Sequence, residues 1–551
     1  MVKIIKKTVA LLTNQQNNIL SAATVIMSAV ALSRVLGLLR DRLLAARFTP
    51  SELGVYYAAF RLPNMIFELL VMGALVTAFI PVFTKYLDIK GKEHAFKLAS
   101  NLINIGIIIF VILSLPLLIF TKEISLFLVQ GFSPSQVEQM ILFTRIMILA
   151  QVFPLIVGNF LTGILQSFRN FLIPALAPVA YNIGIIIGIV FLSGSMGLLG
   201  PVLGVVIGAI LFTVIQIPLV MKLGYHYQWS LDIKDPGTRE VGRLIAPRTI
   251  GIAVSQIDTT IDTMLSAFLG PAAVTYFTFA QHLQQLPVGL FGASIAQAAL
   301  PSLSSSFALK KEEEFKSLLT SSFHQILFFV VPLSVFLTVL RIPIVRLVFG
   351  SSVKFDWEAT VSTGRTLAFF SLSLFAQSLV HLLARAYYAL HDSKTPVIAG
   401  VISVGVNSIL SIIFVIFLHL DVWSLGLSTS IASIINMILL FAFLDRELHT
   451  FSKKDLLFPS VKIGISGIIL AAALYIPIKL LDQLVFDTTR TINLILLTGV
   501  ATSVGLLVYL FSAWFLDVPQ VSLIGNYLRK VRTRKADIII DTTQEVIENT
   551  K

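Results

Sequence analysis

Charged side chains interrupt two long apolar runs near the start of this chain. The first run contains Arg34, Arg40 and Asp41, and the second contains Arg61 and Glu68. A charge near the bilayer centre costs roughly 2.5–3.5 kcal/mol, so membrane bundles keep such residues where they face a partner charge, an aqueous cavity or a polar substrate. Arginine grips phosphate in bidentate geometry and stays charged at low dielectric. These residues therefore predict a cationic cavity inside a membrane protein, as a transporter has.

Local alternatives stay open for each of these groups. Arg34 and Asp41 are seven residues apart and share one helical face, which favours a binding role. Arg40 and Asp41 are as well suited to pairing with each other or to reaching the lipid headgroups. Arg61 stands two residues before a proline, so it is also a candidate to satisfy the carbonyl that the proline frees. Glu68 shares the face of Arg61 and is a candidate to neutralise it.

Two carboxylates mark a third run. Asp258 and Asp262 are four residues apart and on one helical face. Carboxylates facing the same way in a membrane helix are typical of a cation or proton site. Asn407, Ser411 and Thr429, on later runs, are candidates to complete an oxygen shell. In the alternative interpretation, Asp258 lies near a helix end and is solvated.

Composition defines the elements that must position these groups. The chain has 551 residues, of which 56% are hydrophobic and 13% charged, and its mean hydropathy is +0.89. A soluble protein is about a quarter charged. Apolar runs near twenty residues recur from end to end, long enough to cross about 30 Å of hydrocarbon. The fold class predicted is an all-α polytopic membrane protein.

The apolar runs predict fourteen membrane spans. They lie at 19–46, 55–84, 98–120, 139–165, 172–194, 200–222, 244–269, 273–301, 318–341, 360–389, 396–418, 424–444, 459–481 and 491–516. Lysine and arginine collect in the loops after even-numbered spans, which is the positive-inside pattern for a protein with both termini in the cytoplasm. An odd number of spans would put one basic terminus on the wrong side.

An internal repeat of about 220 residues divides these spans. Gly73–Leu87 is echoed by Gly292–Phe307, and the loop ending at Pro174 is echoed by the loop ending at Pro396. Transporters built on repeats place the substrate between them, in helices interrupted by Gly or Pro, which favours spans 2 and 8. The predicted domains are a cytoplasmic segment 1–18, a six-span lobe 19–222, a cytoplasmic linker 223–243, a six-span lobe 244–444 in pseudo-twofold relation to the first, two further spans in 459–516 and a basic cytoplasmic tail 517–551.

Several function classes are disfavoured by the sequence. The net charge of +12 is spread over alternate loops, so nucleic acid is not an expected partner. The chain has neither a G-x-x-x-x-G-K-[ST] phosphate loop nor an H-E-x-x-H zinc motif, and its loops are too short for a nucleotide-binding domain. It has no cysteine for a thiolate metal site. We therefore expect a transporter, not an enzyme, with no cofactor and no metal centre beyond the candidate cation site.

Several motifs together resemble one known family. They are SRVLGLLRD at Ser33–Asp41, AAFRLPN at Ala58–Asn64, GALVTAFIPV at Gly73–Val82, LPSLS at Leu300–Ser304 and DSKTP at Asp392–Pro396. The combination resembles the MurJ/MviN family, the lipid II flippases of the multidrug/oligosaccharidyl-lipid/polysaccharide exporter superfamily. The resemblance runs across spans 1–12.

This resemblance implies a function and a set of site residues. Lipid II would cross from the inner to the outer leaflet of the bacterial cytoplasmic membrane through a central cationic cavity, by alternating access. The drive implied is the membrane potential or a sodium gradient, the partners are lipid II and membrane lipids, and we expect a monomer. The substrate-binding residues implied by position are Arg34, Arg40, Asp41, Arg61 and Lys394, together with His282, which stands where the family has an arginine.

The chain also departs from the family pattern. Gly54, Phe67, Glu68 and Met72 stand where the family carries charged residues. Two alternatives are therefore kept: an exporter of the same fold for another lipid-linked oligosaccharide or for small cationic compounds, and a membrane scaffold without transport. A cationic compound needs a net acidic cavity, whereas the charges of spans 1 and 2 are net positive, which favours the anionic pyrophosphate of lipid II.

Overall fold

A computed structural model describes residues 19–72, 78–350, 352–448, 453–481 and 491–522, and all regular structure in these ranges is helical. The helices are α1 Ile19–Arg47, α2 Pro50–Ala59, α3 Arg61–Phe67, α4 Ile80–Ile119, α5 Thr121–Leu128, α6 Pro134–Ile146, α7 Phe153–Ser167, α8 Leu172–Ile187, α9 Ser193–Met196, α10 Leu199–Val214, α11 Ile217–Lys222, α12 Pro236–Phe268, α13 Pro271–Pro287, α14 Ser294–Ala308, α15 Glu312–Val339, α16 Arg341–Val348, α17 Trp357–Ser371, α18 Leu374–Ala389, α19 Lys394–Ile412, α20 Trp423–Glu447, α21 Lys453–Leu481 and α22 Thr491–Phe515. The predicted segment 1–18 and the tail beyond residue 522 lie outside the described residues.

Membrane-length apolar helices confirm the fold class. Within the described ranges, ten helices are long and apolar enough to cross a membrane, and the pair α17 and α18, bent by 45°, makes an eleventh. These correspond to predicted spans 3–6 and 8–14. Predicted spans 1, 2 and 7 fall on α1, on α2 with α3, and on α12, which carry the charged residues identified in the sequence. The total of fourteen stays a prediction with which this count is consistent.

The backbone carries the predicted repeat. Residues with positive φ occur in pairs about 220 residues apart, at positions that the repeat makes equivalent: Gly91, at a break within α4, with Lys310, Arg169 with His391, and Gly197 with His419. One-turn π-helical segments follow the same spacing, because Glu68–Met72 is matched by Val288–Ala293 and Gly188–Leu192 by Ile413–Phe417. Such one-turn π-helical segments within α-helices are frequently found at functional sites. The two halves therefore share turns and helix irregularities as well as sequence.

Two compact units emerge from the packing. The first comprises Met1–Gln281, Val348–Thr366 and Val404–Ser428. Its helices α8 and α10 approach so closely that a Cβ at Gly184 would collide with the backbone of Gly208. Because this unit combines predicted spans 1–7 with segments of later ones, groups distant in sequence become neighbours within it. The lobe boundaries proposed from the sequence stay predictions.

The second unit comprises His282–Leu347, Leu367–Ser403 and Thr429–Lys551. Its core brings α15, α18, α20, α21 and α22 together through a continuous cluster of buried apolar side chains. Buried hydroxyls satisfy backbone carbonyls across the helices: Tyr387 donates to the carbonyl of Leu440 at 3.0 Å, and Tyr509 to that of Phe328 at 2.8 Å. These contacts satisfy both hydroxyls inside the bundle, as hydrocarbon surroundings require.

Candidate functional site

Arg40 and Asp41 form an ion pair inside the first unit. The Nε and Nη2 atoms of Arg40 donate to Oδ1 of Asp41 at 2.9 and 2.8 Å. Asp41 is only 1% exposed, while the Arg40 side chain keeps one fifth of its surface. Burial without compensation would be costly for either charge, and the pair supplies that compensation. The pairing alternative for these two residues is therefore the arrangement found in this conformation.

Two neutral side chains from other helices complete this pair. Asn182, on α8, accepts from Nη1 of Arg40 at 3.3 Å. It also donates to Oγ of Ser33, which lies two turns before Arg40 on α1. Tyr57, on α2, donates from its hydroxyl to Oδ1 of Asp41 at 3.3 Å. Three helices thus hold the orientation of the pair. Neither Asn182 nor Tyr57 was singled out from the sequence, because neither carries a charge or a recognisable spacing.

Arg34 lies apart from this network. It is two helical turns before Asp41 on α1, and its side chain is exposed, as are the neighbouring positions Val30 and Val35. Among the described residues it is therefore a cationic group that remains accessible. The structure brings Arg40 and Asp41 together but does not add Arg34 to them.

Arg61 ties α3 to α12. It is 7% exposed, and its Nε donates to Oγ1 of Thr260 at 2.9 Å, while Nη2 donates to both the backbone and the side-chain oxygen of Gln256. The carboxylates of Glu68 and Asp262 lie close enough to act on it electrostatically. The acceptors lie on α12, so satisfying a carbonyl freed on its own helix is not the role observed. The sequence does not mark Gln256 and Thr260 as partners of Arg61, because both are uncharged. On this helix only the carboxylates of Asp258 and Asp262 stand out.

The acidic group predicted on span 7 is assembled in the structure. Nδ2 of Asn407 donates to Oδ1 of Asp258 at 2.9 Å and to Oδ1 of Asp262 at 3.3 Å. Asp262 and Asn407 are 4% and 2% exposed. The Oδ1 atom of Asn407 is buried and receives no hydrogen bond from the described residues. Two carboxylates and an unsatisfied amide oxygen therefore converge where a monovalent cation or a proton would compensate them.

Nearby hydroxyls have a different arrangement from the one anticipated. Ser411, one turn beyond Asn407, lies 2.6 Å from Oγ of Ser428. Both side chains are fully buried. This places a hydroxyl pair adjoining the acidic cluster, with Ser428 standing beside the Thr429 that the sequence suggested. Among the described residues, no group of three or more His, Cys, Asp or Glu side chains is placed to hold a metal ion.

His282 and Lys394 belong to the second unit. His282 is partly buried on α13, and Lys394 is exposed at the first position of α19. The carboxylate of Asp392 accepts from the backbone N–H of Lys394 at 2.8 Å and of Thr395 at 3.1 Å, which caps that helix. Partial burial raises the pKa of Asp392, but these hydrogen bonds outweigh it and hold the pKa below its ordinary value. The DSKTP motif therefore has a local structural role in starting α19.

A set of close contacts, here called the seam, joins residues 42–57 to residues 271–279 and 348–355 within the first unit. Thr275 donates to the carbonyl of Pro50 at 2.7 Å, and Ser352 donates to that of Ala45 at 3.2 Å. A Cβ at Gly54 would collide with the carbonyl of Pro271. This bears on one departure from the family pattern, because in this conformation a charged side chain at position 54 has no room.

Aromatic rings continue the seam. Phe279 stacks on Phe349 with ring centroids 4.1 Å apart and planes 10° apart, and Phe355 packs against both. Tyr57 meets Phe279 edge-on at 5.8 Å. Since Tyr57 also donates to Asp41, the aromatic cluster is connected directly to the Arg40–Asp41 pair.

The class of protein follows from the fold and these buried charges. This repeated bundle of apolar helices with polar groups held inside has the fold of the multidrug/oligosaccharidyl-lipid/polysaccharide exporter superfamily. A solved inward-facing multidrug resistance MATE family transporter of that superfamily matches with a TM-score of 0.62 over 77% of this chain and 98% of its own, at 15% identity. That likeness concerns the fold alone.

The particular family is shown by closer matches. The chain belongs to the lipid II flippase MurJ family, whose profile matches residues 48–509. The Burkholderia cenocepacia lipid II flippase MurJ is 28% identical over 77% of this chain and 83% of its own length. The probable lipid II flippase MurJ of Bdellovibrio bacteriovorus is 26% identical over 93% and 98%. A solved structure, lipid II flippase MurJ in an inward closed conformation, matches with a TM-score of 0.75 at 28% identity, covering 91% of this chain and 99% of that one.

Proposed function

We propose that this protein is a flippase that carries lipid II from the inner to the outer leaflet of the bacterial cytoplasmic membrane, without hydrolysing it, to supply cell-wall synthesis. Family membership supports the substrate. The observation that carries the mechanism is Arg61: a nearly buried arginine held across two helices by neutral acceptors, Thr260 and Gln256. Neutral acceptors are readily exchanged for an anion, because a pyrophosphate offers a guanidinium a stronger, charge-assisted contact.

Each of the three arginines has a different role in substrate binding in this proposal. Arg34, being exposed, makes first contact with the pyrophosphate. Arg61 then leaves Thr260 and Gln256 for the same anion, which loosens α3 from α12. Arg40 keeps its partner Asp41 and contributes the donor capacity that the ion pair leaves unused. Lys394 and His282, on the second unit, are proposed as further substrate contacts on the resemblance alone.

A cation at the Asp258–Asp262–Asn407 cluster supplies the coupling. Asp262 acts electrostatically on Arg61, so a sodium ion or a proton that neutralises the carboxylates frees the positive charge of Arg61 for the substrate. The unsatisfied oxygen of Asn407 gives such a cation a ligand. Oxygen ligands suit hard cations. The membrane potential then favours movement of the charged complex, since one elementary charge is worth about 2.3 kcal/mol per 100 mV.

Alternating access requires that the seam separate. With both termini in the cytoplasm, the seam lies at the outer face, because it adjoins the turns after spans 1 and 7. Its closed state then corresponds to a cavity that opens inward, and delivery to the outer leaflet requires the Phe279–Phe349 stack and the Ser352–Ala45 contact to break. We propose that a single chain performs this cycle.

The test is replacement of a host's own flippase. Cells depleted of that protein receive this chain, and lipid II in the outer leaflet is measured with a membrane-impermeant probe. Rescue by the wild-type protein supports the proposal, and its failure despite normal membrane insertion overturns the lipid II assignment. Arg34→Ala is expected to rescue poorly, whereas equal rescue by Arg34→Ala removes Arg34 from the site and leaves the flippase intact.

A further inference from the structure

The segment after α11 has a strict two-residue alternation. From residue 225 to residue 234 the apolar side chains are Tyr225, Tyr227, Trp229, Leu231 and Ile233, and the polar ones between them are His226, Gln228, Ser230, Asp232 and Lys234. The segment lacks regular secondary structure except for a turn near its end. In an extended chain such alternation places the apolar side chains on one face and the polar side chains on the other. This segment is called the strap below.

Three polar residues of α4 fasten the strap. The backbone N–H of Gln228 donates to Oγ of Ser100 at 3.2 Å, and Nδ2 of Asn104 donates to the carbonyl of Ser230 at 2.7 Å. Asn101 forms a reciprocal pair with the backbone of residue 232, at 2.8 and 2.6 Å. Ser100, Asn101 and Asn104 are almost fully buried as a result. The strap therefore covers a polar stripe on a membrane helix.

The apolar side chains of the strap lie in two environments. The hydroxyls of Tyr225 and Tyr227 contact Ser100 and Asn104 on α4, whereas the side chains that follow are uncovered. Tyr227 is 53% exposed, Trp229 79%, Leu231 49% and Ile233 68%. Trp229, Leu231 and Ile233 thus expose three large apolar side chains within five residues, and exposed apolar patches mark interaction sites. The strap starts three residues after α11 ends and rests on the first turns of the apolar part of α4. It therefore lies where the hydrocarbon of the bilayer gives way to water.

An apolar cavity of about 560 Å³ lies beneath the strap. Its walls come from α4, α7 and α11, with residues such as Ile107, Val157 and Met221, and the strap closes one side with Tyr225 and Tyr227. Met221 and Phe153 are largely exposed, so the cavity opens laterally. A lateral apolar opening at membrane depth admits a hydrocarbon chain, whereas it offers few partners to water.

We propose that the strap is an interfacial anchor that inserts Trp229, Leu231 and Ile233 into the headgroup–acyl boundary, and that a phospholipid acyl chain occupies the cavity beneath it. Tryptophan and tyrosine concentrate at this boundary because their rings are amphipathic. Exposed Lys222 and His226 flank the cavity mouth, where they meet lipid phosphate. The anchor fixes the connection between α11 and α12 to the membrane surface. This inference is independent of the substrate that the protein carries.

Tryptophan fluorescence tests the anchor directly. Replacing Trp357, Trp423 and Trp514 by Phe leaves Trp229 as the sole tryptophan, since the chain has four. The protein is placed in phosphatidylcholine–phosphatidylglycerol vesicles brominated either near the headgroup or near the chain end. We expect the shallow bromines to lower Trp229 emission about twofold and more than the deep ones, as for an interfacial ring. Strong quenching by aqueous iodide with no effect of either brominated lipid would overturn the anchor and indicate a docking surface for a soluble partner.

Two variants make the test specific. Asn101→Ala with Asn104→Ala removes the fastening next to residues 230 and 232 and leaves Ser100 in place. Lipid quenching of Trp229 should then fall if α4 holds the ring in place, and unchanged quenching overturns that role of α4. Val157→Trp, in a background with Trp229→Phe and the other tryptophans replaced, reports on the cavity. Quenching by brominated chains supports an acyl occupant, and quenching by iodide alone overturns it. A thermal unfolding scan of each variant confirms that it is folded.

Discussion

The guanidinium of Arg61 donates from Nε to the hydroxyl of Thr260 at 2.9 Å, across 199 residues of sequence. Through this contact Arg61, which the sequence predicts to bind substrate, connects α3 to α12. The same helix α12 carries both carboxylates of the acidic cluster, Asp258 and Asp262. The proposed coupling of a cation to substrate binding depends on this relationship.

Replacing Arg61 separates its two roles. Arg61→Gln removes the charge and should abolish rescue of a flippase-depleted host, because no cation remains there to hold pyrophosphate. Gln256→Ala is the matched change, since it removes a holding group but leaves the arginine. We expect Gln256→Ala to retain flipping, with a loss of about 1–2 kcal/mol in stability from the lost hydrogen bond. Comparable loss of flipping in both variants would assign Arg61 to structure alone.

The Arg40–Asp41 pair is expected to be intolerant of a one-sided change. Asp41→Asn leaves a mostly buried guanidinium without its counter-charge, which costs about 3–5 kcal/mol in comparable buried pairs. Replacing both residues by leucine should cost less, because no charge is then left unpaired. Thermal unfolding in detergent compares the single and double variants. A double variant less stable than Asp41→Asn would show that the pair stabilises the fold beyond cancelling its own charges.

The acidic cluster predicts ion dependence. Asp262→Asn should remove the dependence of flipping on sodium or on the proton gradient, because the buried carboxylate next to Asn407 is then neutral. Asp258→Asn, at the less buried position, should weaken it. Flipping in proteoliposomes with and without each gradient, at a fixed membrane potential, makes the measurement. Unaltered ion dependence in Asp262→Asn would move the coupling site elsewhere.

Gly54 provides a steric test of the seam. Gly54→Ala places a Cβ against the carbonyl of Pro271 and should destabilise the closed seam, whereas Gly37→Ala meets nothing within 4 Å and is the control. A cysteine introduced at Ala45, which is fully buried, reports opening through its labelling rate. We expect faster labelling in Gly54→Ala than in Gly37→Ala. Equal rates would mean that helix α2 accommodates the added methyl group without parting from α13.

Sequence reasoning reached the features that follow from composition and spacing. The apolar runs, the repeat and the convergence of Asp258, Asp262 and Asn407 are of this kind, since charge in an apolar run is conspicuous. The partners of the arginines were not reachable, because Thr260 and Asn182 are ordinary neutral residues whose importance arises only from packing. The seam was missed for the same reason: nothing in the sequence marks Gly54 as the neighbour of Pro271. The strap did carry a signal, its two-residue alternation, in a stretch interpreted only as a linker.

Opening of the seam is the central requirement of the proposed transport of lipid II. The chain has no native cysteine, so Ala45→Cys with Ser352→Cys introduces one pair at a site where the Ser352 hydroxyl already contacts the Ala45 carbonyl. Lipid II flipping is measured in proteoliposomes before oxidation, after oxidation and after reduction. We predict that the disulfide stops flipping and that reduction restores it. Flipping at an unchanged rate by fully cross-linked protein would contradict the account.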